Sequence, residues 1–141
     1  TAKMSKSASA PTGLLDLLDD PKANAKKIRS AVTDTGREVV ADPENKPGVT
    51  NLMTMLSALT GQSLHDVEAA FAGRGYGDLK KELAEVFVDR FTPFRERTLE
   101  LMDDPDTLHD ILAHGASRAS VVAGDTLRAV YDRVGFVGMA R

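Results

Sequence analysis

Apolar residues recur at helical spacing along most of the chain, and breaks in this pattern divide it into five predicted helices. Asp20 and Pro21 are typical of the N-cap and first position of a helix, and Gly36 is predicted to end it. A second helix is predicted over about residues 49–59, and Gly61 stops it. The first helix therefore has local signals at both ends, and the second has one at its C-terminal end.

The third and fourth predicted helices begin at polar capping residues. Ser63 and Asp66 resemble a capping box that opens a short helix running to Phe71. Asp78 is predicted to cap a long fourth helix, which Pro93 should kink or restart.

The last helix is long and apolar on one side. Asp104 and Pro105 predict its start, and Gly135 predicts its C-cap. The Leu-rich stretch over residues 13–20 leaves two interpretations open, an extended segment or one helical turn. No segment shows a sustained alternation typical of strands. We therefore predict an all-α fold, a bundle of about five helices preceded by a flexible N-terminal loop over residues 1–12.

Composition limits the classes of protein that fit. The chain has 141 residues, 42% of them hydrophobic and 28% charged, which suits one globular domain. The absence of cysteine excludes disulfides, thiolate zinc sites and a cysteine nucleophile, and it favours a cytoplasmic protein. No apolar run approaches the roughly 20 residues that a membrane helix needs.

The charge distribution argues against a general nucleic-acid binder, because the net charge is -3. Lys22, Lys26 and Arg29 nevertheless fall on one side of the first helix, and we name these three residues the basic stripe. A solvated helix face is the plainer interpretation, and a contact with an RNA backbone is the alternative. The histidines have no metal-ligand spacing, and we predict no metal site; they are His65, His109 and His114.

The strongest chemical motif lies near the start of the chain. Lys3, Met4, Ser5, Lys6 and Ser7 place two ammonium groups and two hydroxyls on a short flexible loop. Ammonium groups neutralise phosphate charge, while hydroxyls and backbone N–H groups donate hydrogen bonds to phosphate oxygens. A polar N-terminal tail is the other interpretation of such a pentamer taken alone. We name residues 3–7 the signature loop.

This pentamer, Lys-Met-Ser-Lys-Ser, is identified as the signature loop of class I aminoacyl-tRNA synthetases. The rest of the chain resembles the segment that follows this loop in bacterial tryptophanyl-tRNA synthetases. The matching segments are residues 17–22, 26–28, 31–34, 46–52, 61–63 and 73–80. The resemblance covers nearly the whole chain and corresponds to a C-terminal portion of such an enzyme.

The resemblance implies a ligase that activates tryptophan with ATP and Mg²⁺ and transfers it to tRNA(Trp). Residues 1–13 would be the signature loop at the end of a nucleotide-binding domain, and residues 14–141 a helical domain of the anticodon-binding type. Lys3 and Lys6 would contact the ATP phosphates, with Lys6 the catalytic residue, and Met4, Ser5 and Ser7 would complete the loop. The complete enzyme would be a cytoplasmic homodimer.

The chain lacks features that this reaction also requires. No His-Ile-Gly-His-like sequence and no glycine-rich nucleotide-binding unit occur. Because the first residue is Thr1, we expect the chain to begin within a longer protein. We therefore predict no activity for the chain alone, no bound cofactor, and self-association through apolar surface on its first and last helices. The alternative is a free-standing helical module that binds tRNA or a protein without catalysis.

Overall fold

The structure is a computed structural model that describes residues 11–136, all of them helix, turn or irregular chain and none in a strand. A 3-10 turn at Pro11–Gly13 precedes five α-helices: α1 (Pro21–Arg29), α2 (Pro47–Thr60), α3 (Leu64–Ala70), α4 (Tyr76–Asp103) and α5 (Pro105–Val134). The predicted all-α fold with about five helices is confirmed. Among residues 11–136, no helix combines the length and apolar composition needed to cross a bilayer.

The chain forms two compact units, and the first, which ends at Arg97, contains the hydrophobic core. The spacing of apolar residues on α2 and α4 brings one face of each helix into this core, and α1 and α3 contribute fewer residues. The largest of the fully buried apolar side chains are Val49, Met53, Leu56, Val67, Phe71, Leu79 and Leu83. This packed core fixes α1 and the segment that precedes it.

The second unit begins at Thr98 and consists mainly of α5. Asp104 caps this helix, because its carboxylate accepts a hydrogen bond from the Thr107 N–H at 3.1 Å. Gly135 closes it with φ +78°, a left-handed conformation that favours glycine. None of the α5 side chains is buried. Both predicted ends of the last helix are confirmed.

The first helix ends earlier than the sequence pattern predicts, at Arg29 instead of Gly36. Ser30 occupies the C-cap, and the chain then enters an irregular loop. Within that loop the Asp34 carboxylate accepts a hydrogen bond from the Gly36 N–H at 2.7 Å. Valine, threonine and aspartate are weak helix formers, and this local bond competes with helical geometry.

The fourth helix differs from its prediction at two points. It begins at Tyr76, two residues before the predicted cap, and Asp78 accepts a hydrogen bond from the Gly75 N–H from within the first turn. The helix also does not restart at Pro93, which lies inside the continuous element. A proline removes one backbone donor. Here that loss is not enough to end the helix.

Candidate functional site

The signature loop, residues 3–7, lies outside the described residues. The described chain begins with the turn at Pro11–Gly13, which leads into an irregular segment over residues 14–20. The Leu18 N–H donates to the Asp16 carboxylate at 3.0 Å, so this segment contains an Asx turn. The structure therefore describes the chain from residue 11 onward, and residues 14–20 have a defined conformation.

Three side chains donate hydrogen bonds to backbone carbonyl groups within residues 14–18. We name residues 14–18 the anchored segment. The Lys27 ammonium donates to the Leu14 carbonyl at 2.9 Å. The Asn24 amide donates to the Asp16 carbonyl at 2.7 Å, and the Arg95 guanidinium donates to the Leu18 carbonyl at 3.0 Å. Asn24 and Lys27 lie on α1 and Arg95 lies on α4, so two helices hold the segment.

Asn24 is the buried member of this set. Its side chain is 2% exposed, and it lies on the same helix as the core residues Ala25 and Ile28. Its Nδ2 makes the bond to the anchored segment, while its Oδ1 has no hydrogen-bond partner among residues 11–136. An unpaired buried carbonyl oxygen has a desolvation cost. The orientation of this amide is therefore set by its donor and the Asp16 carbonyl.

Lys27 has a second acceptor just after this segment. Its Nζ also lies 2.9 Å from the Asp19 carboxylate, and the ion pair is partly exposed. One ammonium group thus bonds to the first residue of the segment, Leu14, and to the residue that follows its end, Asp19. Sequence analysis missed Asn24, Lys27 and Arg95. An asparagine within a helix, next to apolar positions, is a sequence signal that could have identified Asn24. No such signal exists for Lys27 and Arg95, because a backbone carbonyl acceptor cannot be recognised from the residue type.

The basic stripe lies on the exposed side of α1. The side chains of Lys22, Lys26 and Arg29 make no hydrogen bond or ion pair with other residues of the described part of the chain, and all three are exposed. Lys22 and Arg29 line a groove of about 630 Å³ between α1 and α4, together with Glu85 and Asp89. The groove is therefore lined by both positive and negative side chains, which weakens its electrostatic attraction for a phosphate backbone.

A buried tyrosine fixes the loop between α1 and α2. The Tyr76 hydroxyl lies 2.8 and 3.0 Å from the two carboxylate oxygens of Asp34. The hydrogen bond from Tyr76 lowers the pKa of Asp34, while burial, and then the bond to Asp34, raises the pKa of Tyr76. Lys80 donates to the Thr33 hydroxyl of the same loop at 3.1 Å. These contacts are structural and bring together no nucleophile and base.

No metal-binding group forms among residues 11–136. The three histidines are exposed, and nowhere in this range do three His, Asp or Glu side chains come together as metal ligands. The predicted phosphate contacts belong to the signature loop, so the structure does not test them. What the described residues supply is an anchored segment that follows that loop in sequence and an exposed basic stripe on α1.

Comparison with known proteins identifies a family. The model of the family "tRNA synthetases class I (W and Y)" matches residues 1–92. The tryptophan–tRNA ligase 2 of Streptomyces avermitilis is 58% identical over 135 residues, which are 96% of this chain and 40% of that protein. The tryptophan–tRNA ligase of Mycobacterium leprae is 53% identical over 137 residues, 97% of this chain and 40% of that protein.

A solved structure agrees with these sequence relatives. The crystal structure of the tryptophanyl-tRNA synthetase from Mycoplasma pneumoniae matches 96% of this chain and 43% of its own chain, with 32% identity and a TM-score of 0.82. The chain spans about two fifths of the length of the curated relatives it matches. On this likeness of sequence and fold, the chain belongs to the class I tRNA synthetases of the W and Y family, with the tryptophanyl-tRNA synthetases as its relatives.

Proposed function

We propose that this chain supplies the signature loop and the helical domain of a tryptophan–tRNA ligase. In this proposal residues 1–13 contain the loop, at the end of a nucleotide-binding domain, and residues 14–141 form the helical domain. The observation that carries the proposal is the 58% identity over 135 residues with a tryptophan–tRNA ligase. Because the chain spans only 40% of that relative, we expect it to be inactive alone.

The proposed reaction joins tryptophan to ATP with release of pyrophosphate and then transfers the amino acid to tRNA(Trp). ATP enters as its Mg²⁺ complex, a substrate. Lys6 is proposed as the catalytic residue, because its ammonium group would stabilise charge that develops on the leaving pyrophosphate. Lys3 would hold the ATP phosphates by charge. Met4, Ser5 and Ser7 would shape the loop. The two serine hydroxyls and the backbone N–H of Met4 would donate hydrogen bonds to phosphate oxygens.

The basic stripe is the proposed tRNA contact. Lys22, Lys26 and Arg29 are exposed and unpaired within the described chain, so their charges are available to phosphate. Glu85 and Asp89 share the adjacent groove and would reduce the affinity of the isolated domain. Tight binding would then need further contacts from the complete enzyme, which we propose is a cytoplasmic homodimer.

The test is tryptophan-dependent exchange of pyrophosphate into ATP. The chain is mixed with the nucleotide-binding part of the Streptomyces avermitilis relative, and each piece is also assayed alone. We expect activity only in the mixture, and we expect Lys6→Ala to abolish it. Lys81→Ala is the matched control, since Lys81 is an exposed lysine on α4 with no proposed role. An inactive mixture of two folded and associated pieces would reject the ligase proposal.

A further inference from the structure

The three bonds to the anchored segment follow a regular order along the backbone. They take the carbonyl groups of Leu14, Asp16 and Leu18, so every second residue of the segment is held. None of these carbonyls is part of a helix. The Asp16 carbonyl also accepts a hydrogen bond from the Asp19 N–H at 3.1 Å, so the Asn24 amide is its second donor. Two of the three donors carry a full positive charge, which strengthens the bond.

The donors come from positions that the core fixes. Asn24 is buried on α1, and Lys27 lies one turn further along the same helix. Arg95 comes from α4, which carries the core residues Leu83 and Phe87. A displacement of α1 or α4 therefore moves the anchored segment with it.

We propose that Asn24, Lys27 and Arg95 are positioning residues that fix the anchored segment, which follows the signature loop in sequence, to α1 and α4. The anchored segment begins seven residues after Ser7, so the chain that leaves the loop has to reach this fixed backbone. This inference rests on the proposed function of the loop. The three residues act on the reaction only through the backbone, and none of them touches substrate in this proposal.

The first test measures the anchoring itself, on the full chain and without activity. Thermolysin cleaves before leucine, and the anchored segment contains Leu14, Leu15, Leu17 and Leu18. We expect Lys27→Met and Arg95→Met each to raise the cleavage rate within the segment about tenfold, because a lost bond favours local opening. The controls are Lys81→Met and Arg90→Met, which remove the same charges from exposed positions of α4. Rates equal to those of the controls would overturn the inference.

The second test measures positioning through pyrophosphate exchange in the mixture described above. We expect Lys27→Met to lower kcat about tenfold and to leave the KM for tryptophan unchanged. Lys27→Arg retains a charged donor and should restore most of the rate. If cleavage of the segment rises while kcat stays at the wild-type value, the three residues are structural only and the inference is wrong.

The two proposals fail in different ways. An inactive wild-type mixture rejects the proposed function, and the positioning role falls with it. An active wild-type mixture with an unimpaired Lys27→Met variant rejects only the positioning role. A thermal denaturation curve for each variant, followed by circular dichroism, checks that the variant is folded. If Lys27→Met does not fold, Arg95→Met is assayed for exchange in its place, and a wild-type kcat for folded Arg95→Met would overturn the inference.

Discussion

Tyr76 shows how one side chain fixes a long loop. Its ring is buried at the start of α4, and its hydroxyl bonds to both carboxylate oxygens of Asp34, 42 residues earlier. We expect Tyr76→Phe to lower the free energy of unfolding by about 1–2 kcal/mol, because the ring stays packed while a hydrogen bond to a charged group is lost. Urea denaturation at pH 7 measures this change. A variant as stable as the wild type would show that the bond makes no net contribution to the free energy of unfolding.

The same bond predicts how stability depends on pH. The bond from Tyr76 holds the pKa of Asp34 below 3.8, so the folded state favours the ionised carboxyl more than the unfolded state does. This contribution is present above about pH 4 and is lost as the pH falls through the lowered pKa. We expect the stability gap between wild type and Tyr76→Phe to narrow between pH 5 and pH 2. The urea midpoints of both proteins, measured over that range, give this difference in stability when their m-values agree. A difference that does not change with pH would contradict the prediction.

Gly48 is required by a close approach of two backbones. A Cβ atom there would lie 2.5 Å from the Val32 carbonyl oxygen, which belongs to backbone and moves only with the loop. We expect Gly48→Ala to destabilise the protein by about 1–3 kcal/mol. Gly77→Ala is the control, because nothing lies within 4 Å of its Cβ, and in a helix this change should be neutral or stabilise by up to about 1 kcal/mol. Equal stabilities of the two variants would contradict the steric argument.

The hydrogen bonds of a single residue could be predicted where its partner is near in sequence. The bond between Ser63 and Asp66 spans three residues and follows a known pattern. The Tyr76–Asp34 bond and the Arg95–Leu18 bond join residues 42 and 77 positions apart, and no local rule pairs them. Such contacts depend on how the helices pack.

At the scale of helices, the capping box of α3 is a direct test of local stabilisation. The Ser63 hydroxyl accepts a hydrogen bond from the Asp66 N–H, and the Asp66 carboxylate accepts one from the Ser63 N–H. We expect Ser63→Ala to cost about 1 kcal/mol in the free energy of unfolding. Ser63→Thr keeps the hydroxyl and should cost much less. Identical urea midpoints for both variants would mean that the cap is dispensable for this short helix.

Helix existence was easier to predict than helix ends. All five helices were predicted, and the caps at Asp104, Gly61 and Gly135 are confirmed because proline, aspartate and glycine act locally. The end of α1 was predicted too late, because Gly36 is a strong stop signal but the residues before it prefer a loop. Pro93 was expected to kink or restart α4, and of these two outcomes the restart is wrong, because the helix continues through it.

At the scale of the whole molecule, α5 predicts behaviour in solution. Leu108, Leu112, Ala119 and Val122 fall on one face by helical spacing, and the three larger side chains are exposed. We expect the isolated chain to self-associate through this face, with a mass in light scattering that rises with concentration. Val122→Glu should reduce the association. A monomeric mass at high concentration would rule the association out.

The neighbouring residue offers a matched control for that experiment. Val121 is the same residue type and is also exposed, but it lies on another side of the helix. Val121→Glu adds the same charge to the same element and should leave the association intact. If both variants dissociate equally, net charge and not the apolar face controls the assembly.

The anchored segment has a consequence for how this protein can tolerate mutation. Its three bonds use main-chain oxygens, which every amino acid possesses, so these bonds place no demand on the side chains at positions 14, 16 and 18. The demand falls on the donors at positions 24, 27 and 95. A saturation mutagenesis experiment would therefore locate the constraint from these bonds at positions 8, 13 and 77 residues along the chain from the carbonyls that they hold.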